Sequence, residues 1–174
     1  MSVTYFTSDY HLGHRNLYRM REKEDGISVY NHDELIFDNF ASIVKPRDVT
    51  WMLGDMIVTR DSDEYDYYLQ RIDALPGRKK LILGNHDTDG MAVKDAVSRL
   101  GTVFEEIHGA KKFKHVWLTH IPVHQDERRG RANIHGHTHR KSLPHKRYFS
   151  VCLEVNDYKP VAWQGNLQEK TKES

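Results

Sequence analysis

Cysteine is almost missing from this chain. Cys152 stands alone among 174 residues, so no disulfide framework can staple the fold, and a reducing interior is the compartment that suits it. Long apolar runs are missing too. None approaches the ~20 residues that span a bilayer, and the opening Met1-Ser2-Val3-Thr4-Tyr5-Phe6 is too short and too polar for a secretory signal. These absences lead to the expectation of a cytoplasmic protein with no membrane partner. Neither sign of charge dominates: 26 lysines and arginines face 25 aspartates and glutamates, a net +1. That balance gives no global reason to expect a polynucleotide. Repeats, low-complexity tracts and linkers are lacking as well. The length fits one domain, expected over residues 1–165, with a polar tail at 166–174.

Histidine is plentiful, 12 in all, and several fall in tight groups. The stretch that organises the rest is Lys80-Leu81-Ile82-Leu83-Gly84-Asn85-His86-Asp87, an apolar run that ends in an amide, an imidazole and a carboxylate. It reads as a short buried strand and the loop at its carboxyl end, where α/β folds bind ligands. Four more stretches have the same form. Residues 3–7 read as a strand and lead into Asp9 and His11, whose spacing lets both point one way on an extended exit. A carboxylate and an imidazole so placed suit a divalent metal. Residues 48–53 lead into Gly54-Asp55, and a carboxylate there can bridge two ions. Residues 112–119 lead into His120, and residues 132–135 precede Gly136-His137-Thr138-His139. Singly, each group is equally an ordinary set of turn residues.

Between them, apolar positions at helical spacing predict a helix through Ile36, Phe40, Ile43 and Val44, capped by Asp33 and stopped by Pro46. A second is expected through Tyr65, Leu69 and Ile72 behind Asp61, and a third over 91–100 before Gly101. Residues 21–30 read as a charged surface loop. Residues 103–107 and 112–119 read as strands of a second sheet, and 148–155 with 160–163 as a closing hairpin. Cys152, within an apolar run, reads as a small core residue.

The ordered series Asp-x-His (Asp9, His11), Gly-Asp (Asp55), Gly-Asn-His-Asp (Asn85, His86, Asp87), His120 and Gly-His-x-His (His137, His139) resembles the calcineurin-like metallophosphoesterase family over essentially its whole domain. The likeness is to a compact stand-alone member of bacterial or phage type. It implies an α/β fold of two packed mixed β-sheets flanked by helices, a four-layer αββα sandwich. It also implies a dinuclear phosphoesterase, with Asp9, His11, Asp55 and His139 on one metal, Asp55, Asn85, His120 and His137 on the other, and a metal-bridging hydroxide as nucleophile. His86 would then contact the phosphoryl group or protonate the leaving group, with Asp87 orienting it. The family points to manganese, with iron, zinc or nickel also suited to N and O ligands.

Substrate contacts are expected at His14, Asn16, His124 and Arg128 in the loops around these strand ends. A phosphodiesterase acting on a small or nucleotide-type diester is the favoured reading. A nuclease and a phosphomonoesterase are alternatives, and a non-catalytic scaffold on the same fold is a lesser one.

Overall fold

The computed structural model describes residues 1–164, so the tail expected at 166–174 lies outside the described residues. In chain order the elements are β1 (Thr4–Thr7), α1 (Arg15–Asp25), α2 (His32–Ile43), β2 (Val49–Met52), α3 (Ser62–Asp73), β3 (Arg78–Ile82), α4 (Val93–Leu100), β4 (Glu106–His108), β5 (Ala110–Phe113), β6 (Val116–Thr119), β7 (Ala132–His135), β8 (Tyr148–Ser150), a 3-10 turn (Leu153–Val155) and β9 (Val161–Ala162). One sheet has the order β4-β3-β2-β1-β9, the other β5-β6-β7-β8. Strands β1 to β4 run parallel, and β9 closes their edge antiparallel to β1. Strands β6, β7 and β8 are also parallel, with β5 antiparallel to β6.

Side-chain alternation explains why the first sheet is apolar on both faces. Phe6, Trp51, Leu53 and Ile82 meet Val116, Leu118 and Ile134 of the second sheet in one buried cluster. Their neighbours Met52 and Leu81 face the other way and join Ile36, Phe40, Leu69, Ile72 and Leu100 from the helices. The result is a mixed α/β sandwich. The buried apolar residues of α2 and α3, and Leu100 of α4, belong to that second cluster. Among the described residues no α-helix follows Leu100. The connections between the parallel strands β6, β7 and β8 thus contain no α-helix, and they supply none of the expected fourth, helical layer. No helix among the described residues is long and apolar enough to cross a membrane.

Several local expectations are corrected. Residues 21–25 are not loop but the end of α1, which stops where Gly26 turns left-handed (φ 71°) and its N–H bonds Glu22 O. The helix escapes a hydrophobic reading because its buried residues are Tyr18 and an arginine, Arg21. α2 begins at His32, so Asp33 sits inside its first turn rather than capping it. Asp61 does cap α3, accepting from the N–H groups of Asp63 (2.9 Å) and Glu64 (2.8 Å). Strand β4 pairs with β3 in the first sheet, not the second. The run 112–119 breaks at Lys114, whose φ of 51° lets β5 turn back on β6. The expected closing hairpin does not form, because β8 pairs with β7 while β9 crosses to β1.

Leu118 lies fully buried between the sheets. Leu118→Ala is expected to cost about 2–5 kcal/mol, the usual penalty for an unfilled core cavity, measured as a shift in urea midpoint. A loss under about 0.5 kcal/mol, typical of surface sites, would contradict the inter-sheet packing.

Candidate metal centre

The parallel strands of both sheets deliver their carboxyl ends to one edge. Beyond β1 and β2 the ladder continues through Asp9 N to Gly54 O (3.0 Å), His11 N to Asp55 O (2.9 Å) and Leu12 N to Met56 O (3.0 Å). Asp9, His11 and Asp55 have φ of 60°, 52° and 55°, and His137 and His139 have 68° and 49°. Left-handed backbone at a non-glycine residue costs on the order of 1–3 kcal/mol and persists only where the surroundings impose it. The Asp9–His11 spacing thus works through left-handed turns, not through the extended exit that the sequence suggests. Two glycines make room. A Cβ on Gly84 would collide with the Asp55 carboxylate, and one on Gly136 would lie 2.6 Å from Asp9 Oδ2.

Two groups of ligand-type atoms result: Asp9, His11 and His139, and Asp55, His120 and His137, each with its atoms within 4.8 Å of one another. Asp55 Oδ2 lies 3.6 Å from His11 Nε2 and 3.2 Å from His120 Nε2, so one carboxylate reaches both groups. Asn85 Oδ1 is 3.0 Å from His120 Nε2. The Nδ1 of His120 faces Leu53 O at 2.7 Å and donates to it. That bond fixes the tautomer and turns Nε2 toward two oxygens that can only accept. The contact is favourable only with a cation, either a proton or a metal ion, between them. His11 is plainer still: both its ring nitrogens are buried without a hydrogen-bond partner. Backbone N–H groups hold the carboxylates in place, His86 N on Asp55 Oδ1 at 2.8 Å and His137 N on both oxygens of Asp9 at 3.1 and 3.0 Å.

The electrostatics follow. Burial pushes Asp9 up, but His11, His120 and the Ser8 hydroxyl outweigh it and hold the carboxyl far below its usual range. Burial also acts on Asp55, and the His120 imidazole again wins and lowers it. His120, which burial alone would lower, is raised to about 9 by its hydrogen bond to Asp55 and the charge of Asp9. Burial lowers His137, with His120 adding to the effect, and burial likewise lowers His14 beside His11.

His86 sits next to His11, ring centroids 5.6 Å apart, with a partly exposed side chain. Its Nδ1 contacts Asp89 Oδ2 at 2.7 Å. Asp87, expected to orient it, does something else. The buried Asp87 carboxylate accepts from the N–H groups of Gly84 (2.7 Å), Met56 (2.8 Å) and Asp55 (3.1 Å). It ties two strand ends together, because an Asp one residue beyond His86 turns inward where one three residues on can reach the ring. Of the expected substrate contacts, His14 lies beside the cluster, its ring 5.6 Å from that of His11. The other three are not gathered with it. Asn16 is exposed on the first turn of α1. His124 is exposed and pairs with Asp126 at 3.6 Å. Arg128 is buried, donates to Arg131 O at 3.0 Å and stacks on Tyr148, so it braces its own loop.

Sequence reading missed Arg21 and Glu154. Arg21 is fully buried and donates to Asp9 O (2.7 Å), Tyr10 O (3.1 Å) and Glu154 Oε1 (2.6 Å). The same Glu154 oxygen faces His139 Nδ1 at 2.8 Å. The pair therefore holds the backbone at Asp9 and sets the tautomer of His139, leaving its Nε2 for the cluster. Burial pushes Glu154 up, but His139 and Arg21 bring it down to about 2. The signal available in the sequence was a lone carboxylate between Leu153 and Val155 in an apolar run.

No family model matches this chain. It is, then, a mixed α/β sandwich with two Asp/His groups of metal-ligand type at its strand ends. It is 34% identical over 185 residues to the Gene 66 protein of Mycobacterium phage L5, spanning 89% of this chain and 88% of that protein. To the Gene 66 protein of Mycobacterium phage D29 it is 31% identical over 186 residues, with 89% of each covered. The chain belongs to the family of these mycobacteriophage Gene 66 proteins. An uncharacterized protein of Methanocaldococcus jannaschii, MJ1445, is 25% identical over 173 residues, 93% of this chain and 88% of that one. Among solved structures, the protein of unknown function AQ665 from Aquifex aeolicus superposes with a TM-score of 0.73 at 28% identity, over 93% of this chain and 96% of that one.

Glu154→Gln leaves Arg21 as a buried charge without its partner and is expected to cost about 3–5 kcal/mol in urea unfolding at pH 7. A carboxyl depressed by folding stabilises above its unfolded value and loses that contribution as pH falls. The gap between wild type and variant should therefore be full above about pH 5 and shrink as the pH falls from the ordinary value of 4.5 through about 2. A gap that does not change with pH would contradict the ion pair.

Proposed function

We propose that this protein is a dinuclear metal-dependent phosphoesterase of the calcineurin-like kind, and within that class a phosphodiesterase acting on a small or nucleotide-type diester. The observation that carries the reading is Asp55. Its carboxylate belongs to one group with His120 and His137 and lies 3.6 Å from His11 of the other, Asp9, His11 and His139. The residues fit a pair of ions on their own chemistry: oxygen and neutral nitrogen donors, no thiolate, and the unpartnered nitrogens of His11.

Divalent transition ions held there, manganese in the first place and iron, zinc or nickel as substitutes, would supply a water acidic enough to attack near pH 7 and positive charge for the phosphoryl oxygens. Everything else is done by the chain. His120 is fixed by Leu53 O and His139 by Glu154, so neither ring reorients when a ligand arrives. Asp87 and the N–H of His86 hold Asp55 and its backbone in place. His86 is the proton donor to the leaving group. Its Nδ1 is engaged by Asp89, which keeps the opposite nitrogen available to substrate. Asn85 and His137 are exposed at this edge, and an exposed site suits a diester better than a dianionic monoester that would need enclosing.

The test is hydrolysis of an aryl phosphodiester and its monoester by protein stripped of metal and reloaded with manganese. Diester cleavage that needs manganese and falls at least a hundredfold in Asp55→Asn is expected, the loss of ~2.7 kcal/mol of transition-state stabilisation. Because the ligating imidazoles must be neutral, metal affinity should rise with pH toward the His120 value of about 9. Activity should be lost below about pH 5–6. Cleavage of the monoester alone would remove the diester preference. Activity in metal-free protein, or undiminished activity in Asp55→Asn, would remove the dinuclear reading.

A further inference from the structure

At the end of the second sheet away from the metal-ligand groups, a cavity of about 530 Å³ opens where the beginnings of β6, β7 and β8 meet Trp163. That size falls within the roughly 300–1,000 Å³ of small-molecule sites. Its polar lining is cationic. Arg129, Arg131 and Arg147 share the cavity with His115, and no carboxylate among the described residues lines it. Among the described residues their acidic partner is Glu127, 3.9 Å from Arg129, with both side chains more than two-thirds exposed. Its apolar lining includes the aromatic rings of Phe149 and Trp163. Lys114 adds a further positive charge 5.5 Å from the centre of the Trp163 ring.

The cavity is the focus of a wider asymmetry. Between residues 109 and 150 the chain has ten lysines and arginines against two carboxylates, Asp126 and Glu127, so this stretch carries +8 in a chain whose net charge is +1. Two of those cations are balanced from outside the stretch, Lys111 by Glu106 and Arg140 by Glu24 and Asp25. Among the described residues, the arginines of the cavity pair with no carboxylate but Glu127. The chain-wide balance, which gave no reason to expect a polyanion, conceals a segregation of charge.

Guanidinium groups gathered in one concave site repel one another unless an anion joins them, and their planar forks match phosphate oxygens. Aromatic walls beside them suit a flat, apolar body. We propose that this cavity binds a phosphorylated nucleoside, with its base against Phe149 and Trp163 and its phosphate on Arg129, Arg131 and Arg147. The site is separate from the metal-ligand groups and does not depend on what they do. Its ligand is either a free nucleotide or one nucleotide of a single strand. Both present the same base and phosphate.

The full chain, kept metal-free with chelator, is titrated calorimetrically with AMP, with adenosine, with inorganic phosphate and with a short single-stranded oligonucleotide at several salt concentrations. AMP or the oligonucleotide is expected to bind at least about tenfold more tightly than adenosine or phosphate alone. Binding of AMP itself identifies a free-nucleotide site. Binding of the oligonucleotide alone, weakening steeply as salt rises, identifies a strand. Arg131→Gln and Trp163→Ala, each checked for native circular dichroism, should weaken the binding at least about tenfold. Absence of binding by both ligands overturns the proposal, as does binding that neither substitution changes. Because metal is absent throughout, loss of the phosphoesterase reading would leave these outcomes untouched.

Discussion

Two buried carboxylates, Asp9 and Asp55, are brought together at the carboxyl edge of the first sheet, and much of the molecule is arranged to keep them charged there. Burying an ionised carboxylate is costly unless it is paired. Here the pairing comes from imidazoles delivered by three different loops and from backbone N–H groups of His86 and His137. Without metal, the positive charge has to come from a proton on His120, raised to about 9 for that reason. A divalent ion can take the place of that proton. The site and the fold are thus the same constraint seen twice: parallel strands in both sheets are needed so that acids from one and histidines from the other end at one edge.

The support behind the cluster is as specific as the cluster. Arg21 and Glu154 come from the first helix and the 3-10 turn after β8, more than a hundred residues apart in sequence, and meet behind Asp9 and His139. Asp87 does the same for the backbone at Asp55 and Gly84. Left-handed backbone at five of the ligand-type residues is held by this framework. Such strain at a cluster of metal-ligand type is what a preorganised site requires, since a loose site would relax it.

Much of this was legible in the sequence. Apolar runs that stop at Asp, His or Asn marked the strand ends, and the seven ligand-type residues expected from the sequence lie together in the structure. What stayed hidden was contact between parts of the chain far apart. Arg21 looked like loop because a buried arginine breaks the apolar periodicity of α1. Asp87 and Asp89 could not be told apart as partners of His86 without the turn that separates them. The strands expected at 103–107 and 160–163 form only over Glu106–His108 and Val161–Ala162, and periodicity does not say which sheet a strand joins. The charge of the second sheet disappeared into a chain-wide sum.

The most direct measurement is an anomalous difference map from crystals of the protein grown with manganese, collected on both sides of the manganese absorption edge. Two peaks about 3.5–4 Å apart, with Asp55 between them, are expected. One peak should lie on Asp9, His11 and His139, the other on Asn85, His120 and His137. A map without peaks at these residues, or with manganese bound elsewhere on the surface, would contradict the proposed dinuclear centre.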